Sequence, residues 1–184
     1  MIGLLKQIEK EQIIAILRYP VKYFKTLYID YEKPYVSRLQ YDLGNGYRLS
    51  FHKIEECDTN EALYHPHPWP SAIHVIKGSY EMGISYSEQN YHYGQENANN
   101  SFQSEIVKNE VCKLVVNDGF YYEMLNRHGW HYVKPLDQCS MSVMLMGPKW
   151  YDGSRPTKQL HELDPVVANN IRLEFLNYYL DLLV

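Results

Sequence analysis

The stretch YHPHPWP, residues 64–70, sets His65 and His67 one residue apart among prolines and aromatics. On a helix their rings would point about 200° apart, whereas on an extended segment positions i and i+2 share a face. Pro66, Pro68 and Pro70 remove backbone donors and disfavour helix, so the segment is expected to be extended and both imidazoles to face one place. Imidazole is the commonest side-chain ligand for borderline metals such as Fe and Zn, and a site built on strands needs ligands from more than one of them. His131 is the candidate third ligand. Six of the eight histidines (65, 67, 74, 92, 128 and 131) fall in the central part of the chain.

The elements around these residues read mostly as strands. VSRLQYDLGNGYRLSFHKI, residues 36–54, alternates on both sides of Gly44-Asn45-Gly46, the pattern of a hairpin. SAIHVIKGSYEMGISY gives two strands about a turn near Lys77-Gly78. Residues 111–116, 120–125, 129–133 and 140–147 are further extended runs. The polar stretch 87–104 reads as a long surface loop able to serve as a lid. Residues 2–18 read as a helix ended by Pro20. At the other end Asp164 suits a cap, Pro165 a first helical position, and Val167, Ile171, Leu173, Leu176, Leu180 and Leu183 an apolar face over 165–183. Short strands with Gly and Asn turns, flanked by helices, predict an antiparallel barrel or double-sheet jelly roll. A length of 184 residues suits one domain, 1–184.

On these residues the chain resembles the cupin superfamily, whose first motif runs HxH, then Glu, then Gly, and whose second carries one more His. Here the first reads HPHPWPSAIHVIKG, His65 to Gly78, and the second GWHYVKP, Gly129 to Pro135; the resemblance spans roughly residues 36–147. It implies an all-β, cupin-like double-stranded β-helix, a jelly-roll barrel with flanking N- and C-terminal helices. The chain departs from the motif at Thr59, where a Gly usually precedes HxH, at Ser71, where the Glu falls, and at Asn126 and His128, where Pro-x-Gly is usual. Three histidines without the carboxylate resemble the thiol dioxygenase branch and some diketone-cleaving dioxygenases. In those, three neutral imidazoles hold Fe(II), and open positions take substrate and O2. The resemblance therefore implies a divalent metal, Fe(II) favoured over Mn, Ni or Zn, on His65, His67 and His131, in a dioxygenase-like enzyme acting on a small polar molecule. The alternative is a non-catalytic small-molecule-binding cupin without metal, its histidines hydrogen-bonded to Tyr hydroxyls and backbone.

The remaining candidates have less pattern behind them. By alternation from Ser71, His74 faces away from the barrel interior as a structural histidine; if the prolines break that parity, it becomes a fourth ligand. His128 reads as a loop residue or a group behind the ligands, and His52, His92 and His161 as surface. Arg38, Arg48 and Glu81 sit on predicted strands and could meet a ligand carboxylate or amine, although charged strand residues more often face solvent, and Tyr121, Tyr122 and Glu123 are ambiguous.

Bulk composition narrows the classes. A net charge of −4 and the absence of a Lys/Arg block give no footprint for nucleic acid or anionic membrane, so a small ligand is expected. No signal-peptide core or spanning stretch is apparent, and a cytoplasmic location is expected. Cys57, Cys112 and Cys139 show no CxxC spacing and are expected to be reduced thiols. The 18 tyrosines suit amphipathic surface, core or a wet pocket. A lone jelly roll must protect its sheet edges, so a homodimer is expected unless the terminal helices cover them.

Overall fold

The computed structural model describes residues 1–29, 34–58, 62–87, 106–150 and 160–183. Its strands are β1 (Lys25–Ile29), β2 (Val36–Gly44), β3 (Tyr47–Glu55), β4 (His65–Pro66), β5 (Ser71–Lys77), β6 (Tyr80–Tyr86), β7 (Glu110–Val116), β8 (Tyr121–Met124), β9 (Gly129–Pro135), β10 (Cys139–Met146) and β11 (Leu160–His161). The longer helices are α1 (Ile2–Gln7), α2 (Lys10–Leu17) and α3 (Pro165–Asp181). One sheet runs β11-β1-β2-β3-β10-β5-β8 and the other β4-β9-β6-β7. Within them β3 to β10 split into β3-β10-β5-β8 and β4-β9-β6-β7, the chain crossing between sheets at every step except β6 to β7. Every pairing is antiparallel. That strand order is a jelly roll, and the fold is a cupin-like all-β barrel with flanking helices.

The hairpin forms as its turn chemistry requires. Gly44, Asn45 and Gly46 have φ of 84°, 53° and 80°, the left-handed region open to Gly and Asn, and Leu39 pairs with Phe51. Two strands escape the sequence pattern: β1 and the two-residue β11 extend the larger sheet beyond 36–147. They are short and held by pairing with distant partners, so local alternation does not announce them. The expected helix over 2–18 is two helices. Glu9 restarts the second, its side chain accepting from the Gln12 backbone N–H while its own N–H donates to Gln12 Oε1 at 3.0 Å, a capping box.

The larger sheet is buried on both faces. Leu39, Leu49, Phe51, Ala72, Val143 and Leu145 turn outward and pack beneath α2 and α3, with Phe51 and Phe175 ring centroids 5.2 Å apart. Inside the barrel a second cluster joins Ile54, Val75, Tyr80, Met82, Val116 and Val133. The buried stripe of α3 is Ala168, Ile171, Phe175 and Tyr179; Val167, Leu173 and Leu183, expected on it, are exposed. Apolar residues surround this helix, so spacing alone does not select the face that docks. No helix among the described residues is long and apolar enough to cross a membrane. The expected lid, 87–104, lies outside the described residues apart from Ser87.

Asp164 caps α3, accepting from the backbone N–H groups of Val166 and Val167 at 2.8 and 3.2 Å. Replacing Asp164 with Ala should cost about 1 kcal/mol, measured as a lower urea midpoint with an unchanged slope.

Candidate metal centre

Two neighbouring strands of the smaller sheet bring the histidines together. His65 on β4 pairs directly with His131 on β9, and Pro66 with Trp130. His67 follows two residues on, so its ring shares the face of His65, with centroids 5.5 Å apart. Each also lies beside His131, with centroids at 4.6 and 4.7 Å. One ring nitrogen from each of the three falls within 4.8 Å of the others, the one group among the described residues arranged to hold a metal ion.

Ring orientation follows from what lies behind each imidazole. His65 Nδ1 is 3.2 Å from the Leu63 carbonyl oxygen, which can only accept, so a neutral ring donates from Nδ1 and carries its lone pair on Nε2. His67 Nδ1 is 3.4 Å from Ser71 Oγ, and His131 Nδ1 is 3.4 Å from the thioether sulfur of Met82. The Nε2 atoms of His67 and His131 face each other at 3.1 Å. Two nitrogens bound at right angles to one ion, each at about 2.1 Å, would stand about 3.0 Å apart. The donor set therefore fits an ion with adjacent imidazole ligands. His131 is only 3 % exposed, and burial, followed by the charge of nearby His65, keeps its pKa well below the ordinary value, in the neutral form a ligand requires.

These rings open onto a cavity of about 80 Å3 between the two sheets, also lined by Arg38, His52, Tyr122 and Ser142 on its polar side. No Asp or Glu lines it among the described residues. Ser71, at the position of the cupin Glu, is buried and stands behind His67. Tyr122 accepts a hydrogen bond from Tyr80 at 2.7 Å, and burial raises the pKa of both phenols.

His52 corrects the sequence reading: expected at the surface, it is 7 % exposed. Arg38, open to a ligand or to solvent in the sequence, is 8 % exposed; the two pair across β2 and β3, and both reach the cavity. The same alternation that turns Leu39 and Phe51 outward turns Arg38 and His52 inward. Because helices cover the outer face, the polar face of the hairpin is the interior one. The usable signal was two polar residues, Arg and His, opposite each other on a long hairpin.

His74 is not in the group. It lies on the outer face of β5, where its ring stacks on Tyr121 with centroids 3.9 Å apart and planes 5° from parallel. That removes the fourth-ligand option and keeps the structural one. His128 sits in the β8–β9 connection, where its Nε2 accepts from Arg127 Nε at 2.9 Å, and His161 is exposed on β11. Arg48 lies over Trp69, 4.7 Å from the ring centroid, and Glu81 accepts from the Tyr132 hydroxyl at 2.6 Å; neither lines the cavity. His92 is outside the described residues.

No family model and no curated protein matches the chain. Among solved structures, it is similar to Fe(II) HppE, at 8 % identity and a TM-score of 0.44 over 60 % of this chain and 50 % of that one. It is similar to the hydroxypropylphosphonic acid epoxidase of S. wedmorenis, at 7 % identity and a TM-score of 0.44 over 66 % and 55 %. A third is KdgF from Halomonas sp., at 15 % identity and a TM-score of 0.42 over 66 % and 87 %. The chain spans about half the length of the first two.

His74 generates a pH prediction. Burial, and then the charge of Lys6, lowers its pKa from the ordinary 6.5. Below pH 6.5 the unfolded chain takes up this proton before the folded one, so stability is lost as pH falls from there toward the folded pKa. Urea midpoints between pH 7.5 and 5 should fall more steeply for the wild type than for His74→Gln; parallel curves would remove His74 as a contributor.

Proposed function

We propose that this protein is a metal-binding cupin in which His65, His67 and His131 hold one divalent ion, Fe(II) favoured, for O2-dependent oxidation of a small anionic molecule. The observation that carries the reading is the convergence of one nitrogen from each ring within 4.8 Å. An ion held by three neutral ligands supplies Lewis acidity and open positions for substrate and O2. The chain's own residues would do the rest. Leu63, Ser71 and Met82 hold the imidazoles in orientation from behind. Arg38 supplies positive charge at the cavity wall, which suits an anionic substrate group. Ile54, Ile73, Val133 and Met144 form its apolar wall and limit water.

One distance favours a second reading. The 3.1 Å between His67 Nε2 and His131 Nε2 also suits a direct N–H···N hydrogen bond between neutral rings, as in a metal-free cupin that binds its ligand without chemistry. Metal analysis of protein purified without an affinity tag separates the two: the enzyme reading expects about one equivalent of metal, the binding reading none. Association into a homodimer belongs to the same proposal. β7 ends the smaller sheet with Val111 and Val115 exposed at 64 % and 54 %, and light scattering at micromolar concentration checks it.

His67→Ala should weaken metal binding by more than the roughly 10–100-fold typical of changes behind a ligand, with circular dichroism unchanged. Oxygen uptake by iron-loaded wild type with small thiols, diketones and hydroxy acids should disappear in the variant. Arg38→Gln should raise the dissociation constant of an anionic ligand and leave metal content intact. Metal retained at wild-type affinity by His67→Ala would end the three-histidine reading.

A further inference from the structure

A second cavity, of about 170 Å3, opens on the other side of His131. Its apolar lining comes from Met82, Ile84, Leu114, Met124, Leu125 and Trp130, on β6, β7, β8, β9 and the connection after β8, while Tyr86, Glu123 and Asn126 add polar groups to the wall. His131 and Tyr122 are the two residues that line both this cavity and the chamber that holds Arg38. The partition is fixed: the Tyr122 hydroxyl is engaged by Tyr80 at 2.7 Å, and the His131 ring sits against Met82 Sδ at 3.4 Å. A space of roughly 150 Å3 walled by apolar side chains accepts xenon or a benzene ring, because dispersion contacts return what an empty void forfeits.

We propose that this second cavity is a binding site for a small uncharged apolar molecule or substituent, up to the size of a single six-membered ring. A ligand there lies one side chain away from the histidine cluster, in contact with the face of the His131 and Tyr122 partition opposite the Arg38 chamber. The two chambers thus differ in chemistry. One sets imidazole, guanidinium and hydroxyl groups beside its aliphatic wall, and the other offers mainly thioether, aliphatic and indole surface, with Glu123, Asn126 and Tyr86 as its polar groups. Filling the apolar chamber removes no hydrogen bond from the polar one.

Xenon-pressurised crystals and benzene titration test this without reference to any ion, so the outcome is separate from that of the metal proposal. Xenon density should appear among Leu114, Met124 and Trp130, and benzene near saturation should raise the wild-type melting temperature by roughly 2–4 °C. Leu114→Trp, which fills the space, should abolish both effects; if that variant fails to fold, Met124→Trp serves in its place. Absence of xenon from the cavity, no thermal shift in the wild type, or an equal shift in the filled variant overturns the proposal.

Discussion

The covering of the larger sheet by helices α2 and α3 is the constraint on which the interior depends. Phe175, Phe51, Leu39 and Leu49 are fully buried in that layer, and side chains of this kind contribute about 1.5–3 kcal/mol each when removed from water. Once the apolar face of the β2–β3 hairpin is committed to the helices, the opposite face must look into the barrel, because strand residues alternate strictly. Arg38 and His52 enter the interior through that geometry, and no local preference of their own takes them there. A one-residue slip of register would send Phe51 inward and His52 toward the helices, exchanging a polar chamber for an apolar one.

The features written in short-range chemistry were legible in the sequence. Prolines around His65 and His67 force an extended segment, Gly44-Asn45-Gly46 closes a hairpin, and Asp164-Pro165 opens a helix; each is decided by the residues themselves. His131 was legible through its place in the second cupin-like motif, and it pairs directly with His65. What escaped was decided by distant partners. The usual rule sends polar strand residues to solvent, and it fails for Arg38 and His52 because a helical layer takes solvent's place. β1 and β11 exist only through pairing with each other and with β2, and the docked face of α3 is selected by the sheet beneath it. The break at Glu9 also escaped, although it is local: Glu9 and Gln12 form a capping box without proline or glycine.

The electrostatics of the chamber follow from the same exchange of roles. Where a cupin motif places Glu, Ser71 stands behind His67 and adds no charge. Arg38 adds a positive group on the facing sheet, and no carboxylate lines the space among the described residues. Interior charges are weakly screened, so a charged group there acts on a neighbouring ligand more strongly than a surface arginine would. Burial, followed by the charge of nearby His65, holds the pKa of His131 low.

His131 connects these features because it faces three environments at once. Its Nε2 points at His67, its Nδ1 at Met82, and its ring forms wall for both chambers. Rotating the ring to suit one environment disturbs the other two. It lies in β9, the strand paired with both β4 and β6, which fixes its backbone from two sides. β4, by contrast, is only two residues long, and His67 lies beyond it in the proline-rich segment. The rigid member of the cluster is therefore the one held in a continuous ladder, and the pair in the HPH segment is positioned against it. Changes near β9 should disturb all three imidazoles, while changes in the proline segment act mainly on His65 and His67.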